Sequence, residues 1–178
     1  MKLNIHGEIN NEMIQRIADE LEANYVEGET IELDFNSVGG YIEAADIIVD
    51  ILQQAKSYGS KIIARNSGDV MSSATIIWLF ADDRIWDNNY KFLIHNPYLE
   101  NISGDVDSLL EQVKGLITVE DDLANLYSIV SEKDKTYLFE IMAENRPLTL
   151  DELQKLNFIT HKVKTVRKYN KMQNITKK

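Results

Sequence analysis

At 178 residues, 44% of them hydrophobic, the chain is long enough to bury a substantial core, and its length argues for one domain. It has no cysteine, which excludes a disulfide framework and a thiolate metal site, and its formal net charge of −10 argues against nucleic acid as a partner. The opening Met1-Lys2-Leu3-Asn4-Ile5-His6 is too polar for a signal peptide, and no apolar run approaches the roughly 20 residues of a membrane span, so a cytoplasmic protein with no membrane partner is expected.

In chain order, Leu3-Asn4-Ile5 alternates as a short strand that Gly7 breaks, and Ile9, Met13, Ile14, Ile17 and Leu21 then recur at helical spacing. Residues 30–35 alternate with period 2 and run into Asn36-Ser37-Val38-Gly39-Gly40, after which Ala44, Ala45, Ile48, Ile51 and Leu52 mark a second helix. Two adjacent glycines allow close backbone approach, and their N–H groups could face a ligand; a tight turn or helix–strand packing explains them equally well.

The third unit holds the stretch around which the chain is organised. Residues 61–64 read as a strand, Gly68-Asp69-Val70-Met71-Ser72-Ser73 as a glycine turn, and residues 74–81 as a buried helix. A helix N-terminus carries unpaired N–H groups and the positive end of the macrodipole, which favours negative charge developing beside Ser72. Small residues that let the helix pack closely account for the same pattern. Two short strand-like runs follow, 84–86 and 91–94, the second entering His95-Asn96-Pro97. Pro97 cannot donate to a ladder, so His95 falls at the strand's end, where a histidine can act as general base or serve the structure alone.

A helix over about 104–132, with Ser103 or Asp105 as its cap, is longer than a small domain ordinarily uses and predicts projection from the body or packing against a partner. A helix over 135–144, a break at 145–148, a Thr149/Glu152 capping box and a last strand over 158–163 complete the body. Seven of the 19 basic residues, and none of the 29 acidic ones, lie from His161 onward, so 164–178 is read as a basic tail that is solvated or docks on an acidic neighbour.

The ordered set NSVGG, GDVMSSA and LIHNP resembles the ClpP family of self-compartmentalising serine proteases, over nearly the whole of 3–163. The resemblance implies an α/β fold, the ClpP/crotonase-like ββα spiral with a projecting handle helix. It further implies Ser72 as nucleophile, His95 as general base, the backbone N–H groups of Gly40 and Ser73 as oxyanion hole, and no metal or organic cofactor. Its partners would be unfolded polypeptide as substrate and copies of the chain itself in stacked homo-oligomeric rings, heptameric in the usual case.

Four departures qualify the likeness. Asn145 stands where the family's aspartate is expected, with Glu144 one residue away as an alternative; an amide can hold the imidazole but cannot offset its charge, and such an exchange cost about 10⁴ in turnover in another serine protease. Val38 replaces a proline, and Ser73 a common methionine. The chain also begins almost at its first core strand, which puts docking to an AAA+ unfoldase in doubt and resembles the short ClpP-like proteases of phages. A catalytically weak ring subunit with a structural role stays open as an alternative, and a crotonase-type acyl-CoA enzyme is disfavoured by a serine at the helix entrance.

Overall fold

The computed structural model describes residues 1–163; the basic tail lies outside the described residues. Three strand–helix units come first: β1 (Lys2–Ile9) and α1 (Asn11–Asn24), β2 (Ile31–Gly40) and α2 (Ile42–Ser57), β3 (Ile62–Met71) and α3 (Ala74–Phe80). They are followed by β4 (Asp83–Trp86), β5 (Phe92–Leu93), α4 (Val106–Ser131), α5 (Lys135–Glu144), α6 (Leu150–Lys155) and β6 (His161–Lys162). Alternation drives the strands: Ile31, Leu33 and Phe35 are fully buried, whereas Glu32 and Asp34 between them are only partly covered. The α1 start is set by Asn10, whose side chain accepts from Met13 N–H.

All pairings in the sheet are parallel, in the order β1-β2-β3-β4-β6. β3 is shared. Its first half (Ile63 to Arg65) pairs with β4, and its end (Val70, Met71) pairs with β5. The strands therefore run further than apolar alternation predicts. β2 and β3 continue through the stretches read as turns because a register shift after Phe35 keeps them paired, Ser37 meeting Val70, and β1 passes Gly7 by a shift of the same kind. The turn proper shrinks to Ser72-Ser73. The last strand is shorter than expected, since Phe158 N–H closes α6 on the Leu153 carbonyl across Asn157, which is left-handed at φ 54.

The core beneath α3 is aromatic. Trp78 meets Phe35 and Trp86 edge-on at ring centroid distances of 5.2 and 5.7 Å, and its indole N–H donates to the Phe158 carbonyl at 2.8 Å. Only the C-terminal half of α4 is seated on this body: Leu123, Ala124, Tyr127 and Ser131 are buried, while Val106, Leu110, Val113 and Ile117 stay exposed. The cap of α4 is Asp105, accepting from Ser108 N–H.

Candidate active site

Ser72 occupies the joint between β3 and α3 in the left-handed region, φ 54, where a non-glycine residue is uncommon. Its N–H donates to the Leu93 carbonyl at 2.9 Å, carrying the β3–β5 pairing one residue past Met71. His95 lies two residues beyond Leu93, so this bond brings the two side chains to one edge. His95 Nε2 stands 2.9 Å from Ser72 Oγ, within reach for proton transfer.

The other ring nitrogen, Nδ1, lies 2.6 Å from the main-chain carbonyl of Asn96. A carbonyl only accepts, so in the neutral imidazole Nδ1 carries the ring proton and Nε2 presents its lone pair to the Ser72 hydroxyl. Pro97 disfavours helical geometry at Asn96 and so limits where that carbonyl can point.

The glycine pair is held close by sterics. A Cβ on Gly39, at φ 93, would stand 2.5 Å from Ser72 Cβ and 2.7 Å from the Met71 carbonyl oxygen; one on Gly40 would meet the Ile9 carbonyl oxygen at 2.3 Å. Ser37 Oγ takes the Gly39 N–H at 3.1 Å and donates to the Gly7 carbonyl at 2.6 Å, pinning the segment. The ladder to β1 closes through Tyr41 N–H on the Ile9 carbonyl at 2.8 Å, a register that turns the Gly40 amide away from β1. Among the described residues, Ser73 N–H donates to no acceptor.

Asn145 reaches the same place through β5. Leu148 N–H donates to the Phe92 carbonyl at 2.8 Å, drawing in the break after α5, whose cap is Asn145 itself at φ 46. Asn145 and His95 border one open cleft of about 570 Å³ with apolar walls from Val38, Met71, Leu93, Tyr98 and Met142. Among the described residues no hydrogen bond joins Asn145 to His95, whose Nδ1 is already taken by Asn96.

Ser72 and His95 thus come together, Asn145 borders the same cleft as His95, and Gly40 and Ser73 are the chain neighbours of Gly39 and Ser72, which approach each other closely. Sequence reading missed the Asn96 carbonyl, which leaves no side-chain signature. It also missed Gly39 as the glycine touching Ser72, and a buried hydroxyl pair, Thr75 and Tyr127, behind the turn. Thr75 was detectable: it is the one polar residue in the apolar run 74–81. Among the described residues no three His, Asp or Glu side chains gather to hold a metal, and no helix is long and apolar enough to cross a membrane.

Comparison with known proteins bears on the family and the fold. The sequence is 27% identical over 129 residues to the ATP-dependent Clp protease proteolytic subunit 3 of Rhizobium meliloti (strain 1021), covering 70% of this chain and 63% of that protein. It is 32% identical over 96 residues to the protein of the same name from Rhizobium etli, covering 52% and 48%. The chain spans about half to two thirds of the length of these curated relatives. Among solved structures, an asparagine-to-aspartate mutant of ClpP1 from Listeria monocytogenes superposes with a TM-score of 0.76 over 93% of this chain and 92% of that one. At 20% identity this likeness establishes the fold alone, which is the ClpP fold that the motifs implied. Since the family profile described as Clp protease also matches residues 1–165, essentially the entire folded body, the chain belongs to the Clp protease family.

Proposed function

We propose that the protein is a serine endopeptidase that cuts unfolded or flexible polypeptide inside a homo-oligomeric chamber. Ser72 attacks the scissile carbonyl while His95 Nε2 takes its proton, and His95 later returns that proton to the leaving amine. The oxygen anion formed on attack is held by the Gly40 and Ser73 N–H groups, donors of a kind worth about 3–4 kcal/mol each in studied hydrolases. The cleft's apolar walls suit a side chain of the bound peptide. The observation that carries the reading is the 2.9 Å approach of His95 Nε2 to Ser72 Oγ, with Nδ1 2.6 Å from the Asn96 carbonyl.

Assembly is proposed on family membership and on the exposed apolar stripe of α4. A second reading has its own support: the histidine faces a neutral carbonyl and an amide rather than a carboxylate, as in a weakly active ring subunit. Hydrolysis of an unstructured protein such as casein distinguishes the two. The parent is expected to cleave it, with Ser72→Ala and His95→Ala each losing at least about a thousandfold. Equal rates in parent and Ser72→Ala would favour the structural role.

A further inference from the structure

Behind the Ser72 turn lies a buried polar chain that the proposed chemistry does not use. Tyr127, from the seated half of α4, is 1% exposed, and its hydroxyl is 2.8 Å from Thr75 Oγ1. Thr75, fully buried in the first turn of α3, sets the same Oγ1 2.7 Å from the Ser72 carbonyl oxygen, which also accepts Thr75 N–H at 2.9 Å. Since a carbonyl only accepts, Thr75 donates to Ser72 and its oxygen is left to accept from Tyr127 O–H. Burial pushes the phenol up to about 12, so the donor stays neutral.

The peptide so held is the one joining Ser72 to Ser73. It is planar and trans, so fixing its carbonyl also fixes the direction of its N–H at the opposite end, which is the Ser73 N–H. The residue preceding that peptide is strained: a left-handed serine persists only where its surroundings over-determine it. We propose that Tyr127 and Thr75 are positioning residues that lock this peptide, aiming the Ser73 N–H at the developing oxygen anion and holding the Ser72 hydroxyl against His95. They thereby couple nucleophile geometry to the seating of α4. The inference rests on the reading of Ser72 as nucleophile.

The test uses the full chain and four proteins: parent, Tyr127→Phe, Thr75→Val and Thr75→Ser. kcat and KM are measured on a short fluorogenic peptide, the rate of Ser72 modification by a fluorophosphonate is followed by intact mass, and Tm is recorded for each. Losing one hydrogen bond corresponds to about three- to tenfold. Tyr127→Phe is therefore expected to lower kcat and the labelling rate by that factor with KM within about twofold, Thr75→Val to lower them further, and Thr75→Ser to restore them. Should Thr75→Val fail to fold, Tyr127→Phe decides alone. Parent-like kcat and labelling in folded Tyr127→Phe would overturn the inference while leaving the peptidase reading intact. So would a loss in Thr75→Ser as deep as in Thr75→Val and matched by Tm, which marks a packing role. If the parent itself neither labels nor hydrolyses, both fall together.

Discussion

Gly39 determines how near the β2 end can come to Ser72. Any side chain there would strike Ser72 Cβ at 2.5 Å, and its φ of 93 is one that other residues rarely adopt. Gly39→Ala is therefore expected to destabilise the fold by about 1–3 kcal/mol and to lower Ser72 labelling more than tenfold; a variant with parent-like Tm and labelling would show the segment to be free to shift. Asn145 is the other residue whose exchange is informative. Asn145→Asp places a carboxylate beside a histidine that becomes positively charged in the transition state, so peptide hydrolysis at neutral pH is expected to rise several-fold. Unchanged rates in the assembled variant would remove Asn145 from the catalytic set and leave the Asn96 carbonyl as the Nδ1 partner among the described residues.

β5, two residues long, organises the site: its Leu93 carbonyl takes Ser72 N–H and its Phe92 carbonyl takes Leu148 N–H. The segment from Asn145 to Leu148 is held from its far side by α6, where Glu152 accepts from Thr149 N–H at 2.7 Å and pairs with both terminal nitrogens of Arg146, at 2.9 and 2.6 Å. The Arg146 guanidinium holds the Glu152 carboxyl down to about 2, against an ordinary value of 4.5. A carboxyl depressed in the folded state contributes stability that is complete above the unfolded value and lost as pH falls through the folded one. Glu152→Gln is thus expected to unfold at lower urea than the parent at pH 7, the gap closing between pH 4.5 and about 2; a constant gap would mean that the ion pair contributes nothing. How much of this was legible in the sequence differs by element. The Thr149/Glu152 box and the long α4 were readable because local spacing specifies them. The extension of β2 and β3 through glycines was not, because it depends on a register shift between strands about thirty residues apart. Ser72, His95 and Asn145 could be named from motifs, but the atom facing Nδ1 could not, since a main-chain carbonyl is present at every residue.

As a whole molecule, the body leaves a stripe of α4 uncovered, with Val113 47% and Ile117 59% exposed. These positions are four apart and share one helix face with Val106 and Leu110. In light scattering coupled to gel filtration the parent is expected far above its chain mass of 20.4 kDa, and Val113→Lys with Ile117→Lys to shift it to a smaller species. A parent eluting as a monodisperse monomer would contradict the chamber. The claim on which the account turns is the reactivity of a single hydroxyl, and its most direct measure is the intact mass after treatment with a fluorophosphonate. The account predicts one adduct per parent chain, absent from Ser72→Ala and strongly slowed in His95→Ala; no adduct on the folded, assembled parent, or the same adduct on Ser72→Ala, would contradict it.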